Sequence, residues 1–572
     1  MNWKLLDSIR KNSAPLEVDL IEHYADGAIS RRDFLKRGAI LGLGLTTMGA
    51  VIAACGGDAD TAAPGATTAP VQGGSMNIGI QQGDANSGLD PLNMIDLGTY
   101  SVMSCSFEYL VGLAPDGNIG NNGLATDWSP NADGSAWTFN LRPGVMWHDG
   151  TPFTSADVAA TVDRMVVVGA GVAGVLSEGA VETPDDLTAV LNLDKPNGNL
   201  PVLISIYNPQ SLITPADYSD GTTLDARPAG TGPWIFESHE PTTFTTVYRA
   251  NDDYWDGRPN LDSITLIGFG SEGAKVSAMQ AREINMIQSF GVIDGTSLLN
   301  DANFTVLTPP SANHRQLWFN TQLPEGGPFT DARVRKAVAY TLDRQQMVDT
   351  LLEGFGSIAN DHPVHHTLPF FDADATPQRP RDIDMAKQLL VDAGQEGLTA
   401  TIQAGDIQMS PDMAAIVEQN AAEAGMTLSV GVTANSDFYG EYWCAGASYG
   451  AQPETSGPSR PCGASAEIGI VDYGHRPTPD VYFGRALETD GDWNSSNYTS
   501  PDFDRLFAEY QAAIDVAGQK AAVGQIQKLL HEDAPALYPF FFDYLSGHDA
   551  SVSGVQVTAL GHMQLQKASI AS

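Results

Sequence analysis

Apolar and polar residues alternate in several short runs of the chain, and this two-residue period predicts β-strands. The predicted strands lie within residues 76–80, 230–236, 242–250, 260–269, 399–405 and 427–433. Residues 137–141 alternate in the same way, residues 142–144 read Arg-Pro-Gly, and residues 145–147 resume the alternation. This pattern predicts a β-hairpin that turns at residues 142–144.

Apolar residues spaced three and four positions apart predict helices between these strands. The clearest helix covers residues 331–352, where we expect Asp331 to cap the first turn and to pair with Arg335. Thr154, three residues before Asp157, forms a capping-box-like start for a helix that runs through Met165. Further helices are predicted at residues 275–283, 383–393, 413–424 and 503–530. Strands and helices alternate, so the predicted class is α/β.

The first 75 residues carry export signals and no pattern of a folded domain. Residues 30–36 read S-R-R-D-F-L-K, which is typical of twin-arginine export, and residues 38–54 form an uncharged apolar run. Residues 51–55 resemble a lipobox, which makes Cys55 the expected lipidated first residue after removal of signal peptide 1–54. The alternative is an uncleaved membrane anchor. Residues 55–75 have the Gly, Ala, Thr and Pro composition of a flexible tether.

Charge and cysteine content indicate which partners are disfavoured and where a disulfide could form. The formal net charge of −39 argues against nucleic acid and anionic lipid surfaces as partners. In an exported protein disulfides persist, and Cys444 and Cys462 flank a Gly/Ser/Pro-rich loop that a bridge would close. Cys105 lies in a largely apolar run and is expected to be a buried thiol.

Four runs stand out in their order along the chain: WTFNLRPGVMWHDGTPFTSADV, GTGPWIF, NDDYWDGRPNLDSI and PFTDARVRKAVAYTLDRQQMVDTLLEGFGSIAND. Together they resemble family 5 of the extracellular solute-binding proteins, which serve ABC importers of oligopeptides, dipeptides and nickel. The resemblance implies a periplasmic-binding-protein-like fold, in which two α/β lobes joined by a two-segment hinge close on a ligand. It implies a first lobe at 76–118, 228–312 and 541–572, an inserted domain at 119–227, and a second lobe at 313–540.

Peptide-binding members of that family hold the ligand's α-amino group with a buried carboxylate in a short run ahead of a proline. The matching run, residues 470–477, places Asp472 in this role, although the aspartate could also cap a turn. Several peptide binders carry tryptophan three residues earlier, where this chain has Gly469. Tyr473, Tyr442 or Trp443 could supply aromatic packing instead.

Three further residues are candidate ligand contacts. Arg476 has the planar donor geometry that suits a ligand carboxylate, and a surface position is its alternative. Trp318 and Asn320 lie where the resemblance places the meeting of the crossing segments, and Trp318 could equally belong to the core.

No metal site, cofactor or catalytic centre is predicted. His362, His365 and His366 lie close together, but no carboxylate at a suitable spacing completes a metal site. The chain lacks a G-x-S-x-G elbow, an H-E-x-x-H motif and a phosphate-binding glycine loop. The resemblance to family 5, together with the export signals, implies a non-catalytic, monomeric, lipid-anchored periplasmic protein that delivers a peptide to a permease and its ATPase. A metal chelate, opine or oligosaccharide as cargo, and signalling to a membrane sensor, are the alternatives.

Overall fold

Two seven-stranded β-sheets, each covered by helices, form the two lobes of the molecule. A computed structural model describes residue 21 and residues 72–571, apart from 84–87, 95, 114–118, 169, 173, 220, 310, 323–325, 408, 444–465 and 492. All elements described below belong to one compact unit, Val71–Ser572. The predicted α/β class is confirmed by this mixture of sheets and helices.

The first sheet mixes parallel and antiparallel strands. From edge to edge its strands are Phe304–Leu307, Ser546–Asp549, Met286–Ile287, Ser75–Gln81, Ser263–Phe269, Thr245–Ala250 and Trp234–Glu240. Met76, Ile78 and Ile80 are fully buried along the central strand, as the two-residue period requires. The helices Leu97–Ser106 and Glu272–Gln280 pack on this strand and exclude water from the sheet.

The second sheet carries apolar side chains on both faces. Its strands, in order, are Gly356–Ile358, Phe540–Phe542, Asn313–Phe319, Ile468–Tyr473, Thr399–Gly405 and Thr427–Thr433, and Ala536–Leu537 also pairs with Asn313–Phe319. Leu317 and Phe319 join a core with the neighbouring helices, whereas Trp318 joins a separate aromatic cluster. The predicted strands at 399–405 and 427–433 are confirmed without a change in either boundary.

The chain passes twice between the two sheets. The strand Phe304–Leu307 belongs to the first sheet, and the next strand, Asn313–Phe319, belongs to the second. Near the end of the chain, only Asp543, Tyr544 and Leu545 separate the second-sheet strand Phe540–Phe542 from the first-sheet strand Ser546–Asp549. Two short crossings of this kind form the hinge of a two-lobed binding protein.

A third sheet has four strands. They come from the part of the chain between two strands of the first sheet, Ser75–Gln81 and Trp234–Glu240. Their order is Ala125–Pro130, Ala136–Leu141, Thr188–Asn192 and Val181–Asp185. Two-residue strands form three further pairs: Gly112–Leu113 with Ile119–Gly120, Val552–Ser553 with Ser569–Ile570, and Gln556–Val557 with Met563–Gln564. The predicted limits of the lobes and of the inserted domain stay predictions.

The remaining helices lie around these sheets. They are Ser155–Val168, Leu200–Leu203, Val292–Leu299, Ala332–Thr341, Arg344–Leu352, Ile383–Ala393, Ser410–Ala422, Asn435–Phe438, Asp480–Ala486, Pro501–Ala512 and Val516–Asp533. Single turns of 3₁₀-helix occur at Pro91–Asn93, Pro209–Ser211 and Pro328–Thr330, and a π-helical turn occurs at Tyr439–Trp443.

The prediction of one continuous helix over residues 331–352 is wrong. Leu342 leaves the helical conformation, and the side chain of Asp343 accepts the Gln346 amide at 2.9 Å, which caps a second helix. Asp331 caps the first helix as expected. Its ion pair, however, is with Arg333 at 2.6 Å, because the buried Arg335 donates to backbone carbonyls, including Phe329 O at 2.8 Å.

Two other predicted elements also differ from the structure. The helix expected over residues 503–530 is split, because Asp515 caps a new helix by accepting the Gly518 amide at 2.8 Å. The strand Ala136–Leu141 pairs with Ala125–Pro130 and Thr188–Asn192 and not with residues 145–147. Residues 145–147 instead turn back on residues 151–153, where Phe153 N donates to Val145 O at 3.1 Å.

Candidate ligand-binding cleft

A cavity of about 1050 Å³ is lined by residues from both lobes and from the second crossing. Gln81, Asp96 and Glu272 contribute from the first lobe, and Asp543 and Tyr544 from the crossing. The second lobe contributes a wall of charged and aromatic side chains, namely Arg315, Asp472, Tyr473, Arg476, Arg485, Trp443 and Trp493. This volume is at the upper end of the range for small-molecule sites, so it accommodates a solute of several residues.

The strand Ile468–Tyr473 carries Asp472 to this wall. In the antiparallel register Asp472 lies directly opposite Arg315 of the neighbouring strand, which places their Cβ atoms about 5 Å apart. The hydroxyl of Tyr439, from the π-helical turn, donates a hydrogen bond to Asp472 Oδ1. The carboxylate predicted from the sequence thus lies in the cavity, half-buried and already held by neighbours.

Arg315 is the most deeply buried cation of the wall, with 2% of its surface exposed. Burial lowers the pKa of its guanidinium, and the charge of Asp472 opposes this change. Its guanidinium carbon lies 5.0 Å from the centre of the Phe542 ring, in a cation–π arrangement. An arginine stays protonated in proteins, so this position presents a positive charge to the cavity.

Arg476 and Arg485 extend the positive wall. Arg476 Nη1 donates to His475 O at 2.8 Å, which fixes one side of its guanidinium. The guanidinium carbon of Arg485 lies 3.4 Å from the centre of the Trp493 ring. Stacking on an aromatic face fixes the orientation of the planar guanidinium group.

Tyr473 lines the cavity and is otherwise enclosed by aromatic groups. Its ring stacks on His314 with centroids 5.4 Å apart, and Tyr482 lies edge-on at 5.9 Å. Burial lowers the pKa of His314 to about 4, so its imidazole is neutral. The ring of Tyr473 is therefore a rigid part of the wall.

The wall formed by the first lobe is acidic, but two of its carboxylates already have partners. Asp96 accepts the amide of Thr99 at 2.8 Å as a helix cap. Glu272 accepts a hydrogen bond from Lys275 Nζ at 3.0 Å. On the crossing segment, burial raises the pKa of Asp543. The two sides of the cavity thus differ in charge, with the arginines confined to the second-lobe side among the described lining residues.

The cavity lining, within the described chain, does not include Trp318 or Asn320. Trp318 is fully buried in the aromatic cluster, and Asn320 is 2% exposed. A Cβ added to Gly469 would lie 2.5 Å from the indole of Trp318, its partner in the strand register. Trp318 therefore fills the space that a side chain at position 469 would need, and the geometry gives its role in ligand contact no support.

A buried polar network joins the chain after the third sheet to the second lobe. Asn199 Nδ2 donates to both oxygens of Asp480 at 3.1 and 3.0 Å, and Gln519 Nε2 donates to Asn199 Oδ1 at 2.7 Å. Tyr510 also donates to Asp480 at 3.0 Å. Burial raises the pKa of Asp480 even though these donors oppose the change. The network links the segment around Asn199 to the second-lobe residues Asp480 and Gln519.

Sequence reasoning missed Arg315, Arg485 and Asn199. Arg315 and Asp472 are far apart in sequence, and only the strand register brings them together. Asn199 gives no local signal beyond its place in an Asn-Gly-Asn turn. Arg485 lies eight residues before Trp493 in the sequence, but this spacing alone does not predict that the two side chains stack.

The histidines considered as metal ligands are packed against other groups. His365 and His366 lie with ring centroids 4.2 Å apart, and His362 Nε2 accepts a hydrogen bond from Gln527 Nε2 at 3.2 Å. Burial lowers the pKa of His362 to about 4 and that of His365 to about 3. No cluster of three metal-binding side chains occurs in the part of the chain that the structure describes.

The structure bears on only one of the four cysteines. Cys105 is buried and unbridged, and burial raises the pKa of its thiol to about 12, which makes it unreactive. Cys55, Cys444 and Cys462 lie outside the described residues, as does the twin-arginine motif at 30–36. Among the described helices, none combines the length and the apolar character that crossing a membrane requires.

Comparison with curated proteins gives relatives that bind solutes. The periplasmic murein peptide-binding protein MppA of Escherichia coli is 27% identical over 485 residues, covering 79% of this chain and 85% of that protein. Heme-binding protein A of Haemophilus influenzae is 27% identical over 387 residues, covering 63% of this chain and 69% of that protein.

The fold agrees with these relatives. The solved structure of HbpA2 from Haemophilus parasuis superimposes with a TM-score of 0.73 at 21% identity, covering 87% of this chain and 100% of that one. The family model for bacterial extracellular solute-binding proteins, family 5 Middle, matches residues 121–454, which is more than half of the chain. This chain therefore belongs to the bacterial extracellular solute-binding proteins of family 5.

Proposed function

We propose that this protein captures a peptide in the cleft between its lobes and delivers it, unchanged, to the permease and ATPase subunits of an ABC importer. The observation that carries the proposal is the position of Asp472, a half-buried carboxylate on the wall of a cavity of about 1050 Å³. Family membership supports a solute-binding role. The relative MppA, named for murein peptides, supports a peptide as the solute.

Asp472 holds the α-ammonium group of the peptide in this proposal. An ammonium group that leaves water needs a charged partner and further hydrogen bonds, because its desolvation otherwise outweighs the attraction. The hydroxyl of Tyr439 fixes one oxygen of Asp472, which orients the carboxylate before the ligand arrives. Tyr473, Trp443 and Trp493 offer aromatic surface to the peptide backbone and side chains.

Closure of the lobes about the two crossings then encloses the ligand. The crossing Asp543–Leu545 lines the cavity, so a change in its backbone angles moves the lobes and reshapes the site together. The permease distinguishes loaded from empty protein by this change of shape. The chemistry proposed for the cleft is binding alone, without turnover of the solute.

Export and anchoring form part of the same proposal. The motif at 30–36 directs the folded protein through the twin-arginine route, and lipidated Cys55 anchors it to a membrane in the periplasm through the tether 55–75. A bridge between Cys444 and Cys462 closes the loop that follows the π-helical turn, and the protein acts as a monomer. Intact-mass measurement without reductant tests the bridge, and free thiols at both positions exclude it.

A thermal-shift screen tests the proposed cargo. The mature domain is heated with dipeptides, longer peptides, oligosaccharides and nickel chelates in parallel. A ligand at about 100 times its Kd adds about 2.7 kcal/mol to the free energy of unfolding. We expect shifts with peptides, and a shift confined to sugars or chelates would contradict the proposal.

Substitution of the anchor tests the site. We expect Asp472→Ala to abolish peptide binding and to leave the melting temperature of the unliganded protein within a few degrees. The matched control is Asp412→Ala, because Asp412 is an exposed carboxylate of the second lobe outside the cavity. Equal peptide binding by Asp472→Ala and the parent protein would remove the anchor assignment.

A further inference from the structure

The charge balance of the second-lobe wall does not match a ligand that brings an ammonium group alone. Three guanidinium groups, of Arg315, Arg476 and Arg485, line this wall. Of the two carboxylates there, Asp480 already accepts hydrogen bonds from Asn199 and Tyr510, which leaves Asp472 as the main anionic group facing the ligand. An ammonium bound at Asp472 therefore adds a further positive charge to a wall that already has an excess.

Arg315 already balances the charge of the anchor carboxylate Asp472. It lies directly opposite Asp472 in the strand register and is 2% exposed, so the two charges compensate each other at short range. A charged group is least costly to bury where the charges around it balance. A lone ammonium group disturbs that balance, whereas an ammonium and a carboxylate arriving together preserve it.

On this basis, and resting on the proposed peptide function, we propose that Arg315 and Asp472 together bind a free α-amino-acid head group, with the ammonium at Asp472 and the carboxylate at Arg315. The corresponding substrate class is peptides linked through a side-chain carboxyl group, such as γ-glutamyl peptides, whose first α-carbon carries both charges. In an α-linked peptide the same carbon carries an amide carbonyl, which presents no negative charge to Arg315. Arg315 is thus a specificity-determining residue of the cleft.

The geometry of neighbouring strands suits such a head group. Side chains at directly opposed positions of an antiparallel pair have Cβ atoms about 5 Å apart. The ammonium and carboxylate of an amino acid share one carbon, so they can contact both side chains at once. The hydroxyl of Tyr439 orients Asp472, and the ring of Phe542 lies against the Arg315 guanidinium.

Two isomeric ligands test the inference on the parent protein. γ-Glutamyl-alaninamide and α-glutamyl-alaninamide have the same atoms and net charge and differ only in which carboxyl group forms the peptide bond. By calorimetric titration we expect the γ isomer to bind at least about tenfold more tightly, as a charge-assisted contact predicts. Equal affinities, or no binding of the γ isomer, would overturn the inference.

Substitution of Arg315 assigns the preference to this residue. We expect Arg315→Gln to lower the affinity for the γ isomer by about tenfold or more and to change the affinity for the α isomer by less than about threefold. Arg315→Lys keeps the charge and should retain part of the preference, which separates charge recognition from a fault in folding. Equal weakening of both isomers by Arg315→Gln would overturn the assignment.

The outcome for the inference is separate from the outcome for the proposed function. If alanyl-alanine binds the parent protein and not Asp472→Asn, while the two isomers bind equally, the peptide function stands and the role of Arg315 falls. If no peptide of either linkage binds, the proposed function falls as well.

Discussion

The second lobe contains two carboxylate–guanidinium groups of the same chemistry in different surroundings. Asp361 is fully buried between Arg344, whose Nη2 contacts its oxygens at 2.7 and 2.8 Å, and Arg379, whose Nε contacts it at 2.7 Å. Asp472 lies half-buried on the cavity wall, beside Arg315 and Tyr439. The first group is closed by protein on every side, and the second faces a space that a solute can enter.

This difference separates a structural ion group from a binding group. Burial acts to raise the pKa of Asp361, but the charges of Arg344 and Arg379 outweigh it and leave that pKa below its ordinary value. Its hydrogen bonds are complete without a ligand. Asp472 is partly exposed and lines the cavity, so a ligand in the cavity can reach its carboxylate.

The largest expected effect on stability is at the fully buried group of Asp361, Arg344 and Arg379. Asp361→Asn leaves two buried arginines without their counter-charge, which we expect to lower the free energy of unfolding by about 3–5 kcal/mol. Urea unfolding measures the loss. The control, Glu509→Gln, removes an exposed pair with Arg505 at 2.7 Å and should change stability by less than about 1 kcal/mol. Similar values for the two variants would show that closure does not distinguish the groups.

A half-buried carboxylate of the first lobe, Glu108, provides a further comparison, because most of its hydrogen-bond donors are neutral. Glu108 accepts hydrogen bonds from Tyr254 at 2.8 Å and Trp255 at 3.1 Å, and burial raises its pKa to about 7. The folded protein therefore binds a proton that the unfolded chain releases. Stability falls as pH rises from the ordinary pKa of 4.5 to about 7.

Glu108→Gln should remove that dependence on pH. Relative to the variant, the parent protein should lose up to about 3 kcal/mol of unfolding free energy across this window. Urea titrations of both proteins at several pH values measure the difference. Parallel stability curves for the two proteins would contradict the account of Glu108.

The smallest expected effect concerns the network between Asn199 and Asp480, which acts on closure. Asn199→Ala removes the amide that donates to both oxygens of Asp480 and leaves the Tyr510 hydroxyl in place, at a cost of about 1–3 kcal/mol in the state where the two segments touch. We expect peptide affinity to fall by about tenfold. In the control, Asn140→Ala removes an exposed bond to Asp127 within the third sheet and should leave affinity unchanged. Unchanged affinity in Asn199→Ala would separate this network from ligand binding.

Local sequence patterns predicted those helices and strands that bury a single apolar face. The helix Ile383–Ala393 and the strands Thr399–Gly405 and Thr427–Thr433 have the predicted bounds, because their periodicity agrees with their packing. The breaks before Arg344 and Val516 were missed, since an aspartate within a helical pattern can continue the helix or cap a new one. Tertiary packing decides between these outcomes.

The residues of the candidate site also fall into those that local sequence predicts and those that it does not. Asp472, Tyr473 and Arg476 follow one another along a recognisable run, and the structure places all three at the cavity. Arg315 depends on strand register and Asn199 on the approach of distant segments, so neither could be found from local sequence. Trp318 resembled a ligand contact because it lies near the crossing, but its strand directs it into the aromatic cluster.

Native mass spectrometry of the mature protein with an equimolar mixture of short peptides tests the central claim most directly. We predict that the parent protein retains intact peptides at one per chain, that Asp472→Asn retains none, and that the masses of the unbound peptides do not change during incubation. The account would be contradicted if Asp472→Asn retained the same peptides as the parent protein, or if the peptides were cleaved.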